Sequence, residues 1–237
     1  MSAGGLPGAV ASEWTKLWSV RSTYWCLVAA VFLMGSSVAI NGFSIASQHE
    51  RGIADSLSRT VTQLPTETVI YLVQFALSAM AALMIGSEYA HGSMRSTLQW
   101  VPIRWRVPVA KSAVVAPVLF VVGTLLALLG VWLAEVTLDS AAMPYTTADV
   151  METAFLIGLY LALLGMMTIG IGTAVRGIAG TLVILFMLLM VVPIVLRASG
   201  SDLLRDLSHF IPGIAVLAAW AIAALALGIR RLRKDDA

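Results

Sequence analysis

The charged pair with the most suggestive spacing is Glu88 and Arg95, seven residues apart in the stretch GSEYAHGSMRSTLQWVPIRWRVPVAK. That separation is close to two helical turns, so an unbroken helix would carry the carboxylate and the guanidinium on one face, where they could pair with a partner or a neighbouring helix. The same charges would also serve simply to cap and solubilise a loop. Other chemistry occurs only in fragments. His49-Glu50 opens like a zinc-protease helix, but Ile53 stands where the second histidine is needed. Lys111-Ser112 ends like a phosphate-binding loop, but Ala110 replaces the glycine that lets backbone amides approach a phosphate. His49, His91 and His209 are scattered, and neither G-x-S-x-G nor S-x-x-K occurs. The expectation is a chain that is not an enzyme and holds no cofactor or metal of its own.

The elements that must position these residues are dictated by composition. Of 237 residues, 59% are hydrophobic and 12% charged, whereas soluble domains carry roughly a quarter charged residues. A membrane-crossing helix needs about 20 largely apolar residues. Six such stretches follow one another: Trp25 to Ala46, Val69 to Ile85, Val107 to Ala134, Ala154 to Val175, Ile178 to Leu196 and Ile211 to Ile229. The expected fold is an all-α integral membrane protein, a single domain over 1–237. The first stretch exceeds a signal-peptide core of roughly 7 to 15 residues and no A-x-A site closes it, so it is expected to be retained. The single cysteine, Cys26, lies within it, excludes an internal disulfide framework, and reads as a small packing residue.

Lys and Arg near the ends of the spans set orientation, because basic residues resist translocation. With the N-terminus inside, the inner segments carry Lys16, Arg21, Arg95, Arg104, Arg106, Lys111, Arg176, Arg230, Arg231, Arg233 and Lys234, eleven in all, against Arg51, Arg59, Arg197 and Arg205 outside. Acids lean the other way, with Glu50, Asp55, Glu67, Glu135, Asp139, Asp149, Glu152, Asp202 and Asp206 outside. Both termini are therefore expected in the cytoplasm. The net charge of +2 is a cancellation between two faces and gives no sign of nucleic-acid binding.

Ahead of the first span, residues 9–21 place Val10, Trp14, Leu17 and Trp18 at helical spacing while Glu13 and Lys16 point elsewhere, which predicts an amphipathic helix on the inner leaflet. It is expected to turn into the membrane at Arg21, Ser22 and Thr23. The link 87–106 reads as a short helix interrupted at Gly92 and ended by Pro102, with Pro108 in the first turn of the third span. Ile53, Leu57 and Val61 suggest a weak surface helix in the outer loop, and Leu203, Leu204, Leu207 and Phe210 a short helix dipping into the outer leaflet before the sixth span. Arg176 and Gly177 leave room only for a tight hairpin between spans four and five. Small residues four apart, Ser78-Ala82-Gly86, Gly158-Ala162 and Gly170-Ala174, predict close helix approach within the chain or across a dimer. Pro117 and Pro193 are expected to bend their helices.

Ion-coupled carriers need ionisable groups deep in the membrane, and the central portions of all six stretches have none. A helical bundle without an energy source or reactive group, but with a structured basic loop, calls for a motor partner. Phe75, Met80, Met166 and Met167 are candidates to line an apolar cavity for an amphipathic or lipid-like substrate, as methionine adapts to varied shapes. Packed or lipid-facing side chains are the plainer account of them.

The opening SEWTKLWSVRSTYW, the segment SEYAHGSMRSTLQWVPIRWRVPVAK and the ending GIRRLRKDD together resemble the type-2 ABC transporter permeases over nearly the whole chain. The family pattern in the central link looks like Glu88, Gly92, Arg95, Leu98, Pro102, Arg104 and Lys111 here. The resemblance implies that the segment from Glu88 to Trp100 is a coupling helix seated in a groove of an ATPase subunit, through Glu88, Gly92, Arg95 and Leu98. It implies that the amphipathic start, with Trp14, Lys16, Leu17 and Trp18, is a connecting helix beside it. It further implies two permease subunits, as a homodimer or heterodimer, two ATPase subunits holding ATP and magnesium, a bacterial cytoplasmic membrane, and export by alternating access. His91 and the short outer loop before span six depart from the better-known members. The competing readings are an accessory or immunity membrane protein that binds another membrane complex without transporting, a passive channel or ion-coupled carrier, and an intramembrane enzyme.

Overall fold

The computed structural model describes residues 6–51, 60–90, 105–138, 142–198 and 214–234, and every element among them is helical. In chain order these are α1 (Leu6–Ser19), α2 (Arg21–Glu50), α3 (Gln63–Thr68), α4 (Gln74–Ala90), α5 (Arg106–Leu138), α6 (Thr147–Val175), α7 (Ile178–Phe186), α8 (Val192–Ala198) and α9 (Ile214–Lys234). Single π-helical turns, Val69–Val73 and Met187–Val191, join α3 to α4 and α7 to α8 without a break. Among the described residues five runs are long and apolar enough to cross a membrane: Arg21–Glu50, Gln63–Gly86, Arg106–Leu138, Thr147–Val175 and Ile178–Val195. They are called spans one to five below, and they have the character of a multi-pass membrane protein. The expected sixth span, 211–229, falls on α9, which is not among these five.

The spans run past their expected ends because polar residues at the margins satisfy the backbone rather than interrupt it. Span two begins at Gln63, not Val69: Thr66 donates its hydroxyl to the Thr62 carbonyl at 2.7 Å and keeps the polar end helical. Glu67, placed above among the outer acids ahead of the second span, is therefore within a helix. Span four begins at Thr147, not Ala154. Thr146 caps it by accepting from the Asp149 N–H, and Asp149 accepts in turn from the Thr146 N–H at 2.8 Å, a closed capping box. Of the suggested outer surface helix, 52–59 lies outside the described residues, and Val61 is buried. The short helix expected to dip into the outer leaflet, 203–210, also lies outside them.

Both π turns have local causes. Pro193 has no N–H to give the Leu189 carbonyl, so the helix ahead of it widens over Met187–Val191 instead of continuing its i→i−4 ladder. At Val69–Val73 the Gln74 N–H reaches the Val69 carbonyl, five residues back, which leaves the Ile70 carbonyl without its usual backbone donor. The Gln74 side-chain amide donates to that carbonyl and replaces the missing bond. The two turns lie near each other, since Phe75 packs on Phe186 with ring centroids 5.6 Å apart.

The small-residue rows close contacts inside the chain. A Cβ added to Gly158 would lie 2.8 Å from the Phe120 carbonyl oxygen, and one on Gly123 would lie 3.1 Å from the Gly158 Cα, so α5 and α6 touch backbone to backbone. One on Gly170 would lie 2.5 Å from backbone atoms of Ala224 and Leu225, and Gly228 faces Gly170 and Thr173 in the same way, so α9 runs parallel to α6. Gly86 meets Ile178, and Gly172 meets Ile85 and Thr181, which gathers the ends of spans two and four with the start of span five. The turn between spans four and five is as tight as expected. Arg176 takes the left-handed conformation (φ 62°) with its N–H on the Gly172 carbonyl at 2.8 Å, and Gly177 opens α7.

Large side chains such as Trp25, Phe32, Ile40, Leu125, Trp132 and Phe155 point outward, as they must where the solvent is hydrocarbon. If backbone contact at Gly170 holds α9 in place, Gly170→Val should destabilise the chain by about 1–3 kcal/mol through overpacking. The apparent Tm in detergent should fall by several degrees, whereas Gly177→Ala, which meets nothing within 4 Å, should leave it unchanged.

Candidate functional site

A charged site forms where α1 meets the ends of spans two and three. Along α1, Val10, Glu13 and Leu17 fall at i, i+3 and i+7, one face of the helix. Leu17 is buried, Val10 is partly buried against the core, and Glu13 is buried with them. Here the structure corrects the expectation that Glu13 points away from the packed face. Trp14 turns outward instead: it is half exposed and stacks edge-on at 5.8 Å against Trp18, which is partly buried against the core. In a membrane the apolar flank is free to meet lipid, and the carboxylate goes where protein can satisfy it.

Its partner comes from far along the chain. Lys111, in the second turn of α5, is fully buried, and its Nζ lies 2.6 Å from the Glu13 Oε2. The same ammonium reaches the Met84 carbonyl of α4 at 3.4 Å. Lys16 closes on the other carboxylate oxygen, Oε1, at 2.9 Å. One carboxylate thus holds two ammonium groups, and through Lys111 three helices meet. Lys16 is partly exposed and contributes little as a surface pair. The Lys111 pair is a buried one, in which each charge is tolerated only because the other is present.

The chain around the pair keeps it in register. Val20, with extended backbone (φ −96°, ψ 126°), breaks α1 from α2, one residue ahead of the expected turn. The carbonyls left at the end of α1 are taken up by α2: Thr23 Oγ1 donates to Leu17 O at 2.7 Å and Tyr24 Oη to Trp18 O at 2.9 Å. Trp18 Nε1 and Ser112 Oγ are buried at this corner without a hydrogen-bond partner among the described residues.

Of the residues expected to contact a partner, Glu88 lies in the last turn of α4, with its side chain outside the described residues. Gly92, Arg95 and Leu98 also lie outside them, as do Pro102 and Arg104. That stretch leaves from Ala90 and re-enters at Trp105, so its two stems are the helices that Lys111 joins. Trp14, Lys16, Leu17 and Trp18 all belong to the α1 side of the site. The four cavity candidates are dispersed. Met167 lines an apolar cavity of about 310 Å³ with Ile171, Ile184, Leu188 and Trp220. Met80 is buried in the core, Met166 packs partly buried against it, and Phe75 pairs with Phe186. A sequence signal for the site did exist, since Glu13 shares a helical face with Val10 and Leu17, but nothing local pairs it with a lysine 98 residues away.

Removing one member of the pair strands the other. Glu13→Ala should destabilise the chain by about 3–5 kcal/mol. Lys111→Met should cost less, because Glu13 keeps Lys16, and Glu13→Leu with Lys111→Met should recover most of the loss. Thermal unfolding in detergent across the three variants checks the order.

Comparison of the chain with family models, with curated proteins and with solved structures finds no match.

Proposed function

We propose that the chain is the transmembrane permease subunit of an ATP-driven exporter in a bacterial cytoplasmic membrane. It crosses six times, has both termini in the cytoplasm, and works as a homodimer or heterodimer with two separate ATPase subunits that bind ATP and magnesium. The substrate is a small amphipathic or lipid-like molecule, moved outward by alternating access. The observation that carries this reading is the buried Glu13–Lys111 pair, which ties α1, the end of span two and the start of span three into one corner. A segment that receives force from a motor protein must be stemmed on elements that move together. The link 91–104 has such stems, and it carries the residues Gly92, Arg95 and Leu98 expected at the motor interface.

The mechanism follows from that rigidity. Closure of the ATPase pair pushes on the link, the clamped corner passes the displacement to spans two and three, and the bundle rocks as a body.

The test is co-purification of the tagged chain in mild detergent with the products of its neighbouring genes, followed by ATPase assays. A nucleotide-binding subunit should come down stoichiometrically, and Glu88→Ala or Arg95→Ala should weaken its association or its activity. The double variant Glu13→Leu with Lys111→Met should retain the subunit. Recovery of the chain alone, or in a complex without a nucleotide-binding subunit, overturns the proposal in favour of an accessory membrane protein.

A further inference from the structure

Away from the charged corner, spans two and four border a recess of about 200 Å³ whose lining includes Thr66, Val69, Ile70, Thr153, Leu156 and Tyr160. Tyr160, near the middle of span four, lines it and is bonded to Gln74, near the middle of span two. Tyr160 donates its hydroxyl to Gln74 Oε1 at 2.6 Å, and the Gln74 amide donates to the Ile70 carbonyl freed by the π turn. Gln74 is fully buried and Tyr160 is 8% exposed. Leucine and phenylalanine would pack at these positions in an unbroken α-helix with no polar group to satisfy. Polar side chains at mid-depth are costly, and π turns concentrate at functional sites.

The hydrogen-bond inventory gives the recess a definite polarity. The Tyr160 proton is committed to Gln74, so its oxygen offers the recess lone pairs alone. The Thr66 proton is committed to the Thr62 carbonyl, with the same consequence. No charged side chain is among the lining residues, and Val69, Ile70 and Leu156 supply aliphatic walls. The Thr153 hydroxyl, which donates to no group among the described residues, adds one donor, so two acceptors and a donor without charge complement a neutral hydroxyl group on an apolar body. The volume suits the head of such a molecule rather than a whole drug-sized ligand, for which pockets run to roughly 300–1,000 Å³.

We infer that this recess binds the hydroxyl end of an uncharged amphiphilic alcohol, with the Tyr160 oxygen as acceptor. As a statement of substrate class it rests on the permease reading; as a binding site it stands without it.

The test uses the purified full chain in lipid nanodiscs, photolabelled in parallel with a diazirine-bearing octanol and the matching diazirine-bearing octane, followed by peptide mapping. The alcohol should label the segments around Thr66–Ile70 and Thr153–Tyr160 about three- to tenfold more than the alkane, the worth of one hydrogen bond. Gln74→Leu with Tyr160→Phe removes both members of the pair and should erase that preference. Ile157→Trp, which fills the recess and keeps the pair, should suppress labelling by both probes. Equal labelling by the two probes, or a preference that survives the double variant, overturns the site and leaves water or lipid as its occupant. Because no ATPase takes part, a chain that labels selectively but recruits no nucleotide-binding subunit keeps the site and loses the permease. The converse result keeps the permease and loses the site.

Discussion

An ammonium and a carboxylate held 2.6 Å apart with almost no exposure set the terms for the rest of this molecule. Neither charge could be carried into an apolar bundle alone, since the penalty for an isolated buried ion far exceeds the stability of a domain. Together they are tolerable, but only if α1 docks on α5 in one register and α5 presents its second turn to the end of α4. The pair therefore acts less as a source of stability than as a condition on assembly: arrangements that separate Glu13 from Lys111 leave a bare charge. The break at Val20 and the bonds from Thr23 and Tyr24 back to α1 follow from that condition, since they hold the helix at the angle the pair requires.

The same demand, that polar groups find partners inside the protein, explains the irregular places in the spans. In hydrocarbon an unpaired carbonyl costs several kcal/mol, so a π turn calls for a replacement bond or a local cause that rules out the regular ladder. Gln74 supplies the bond for Ile70 with its own side chain, and Tyr160 of span four then completes the amide's hydrogen bonding. At Met187–Val191 the cause is Pro193, whose missing donor makes the regular ladder impossible. Elsewhere the spans approach through glycines, because without water to expel it is dispersion between closely packed backbones that favours association. Gly123 against Gly158 and Gly170 against α9 are examples in which backbone meets backbone.

Much of the architecture was legible in the order of residues. Helical character, the long apolar runs, the tight turn at Arg176-Gly177 and the close packing of the glycine rows follow from hydropathy, small-residue spacing and the shortage of linking residues. The ends of the runs were less legible. A window of apolar residues stops at the first polar side chain, whereas a helix continues as long as threonines and serines return their hydroxyls to its carbonyls, as at Thr62 to Thr66. The inward face of α1 was misread for a related reason. The sequence places the apolar side chains of α1 together and its charges elsewhere, but Glu13 shares the buried face with Val10 and Leu17 because a charge beside a bilayer goes where protein can satisfy it.

What the sequence determined by itself was local: which stretches are helical and apolar, where small residues permit contact, which end of the chain's segments is basic, and which catalytic patterns are missing. Those properties depend on side-chain type and on separations of a few residues, and periodicity reports them directly. The tertiary structure decided which distant groups meet. Glu13 with Lys111 and Gln74 with Tyr160 are pairs 98 and 86 residues apart, and each member alone looks like an ordinary polar residue near or within a helix. Their meaning comes from the packing of the helices that carry them, because only a buried, low-dielectric contact turns two separate side chains into one constraint.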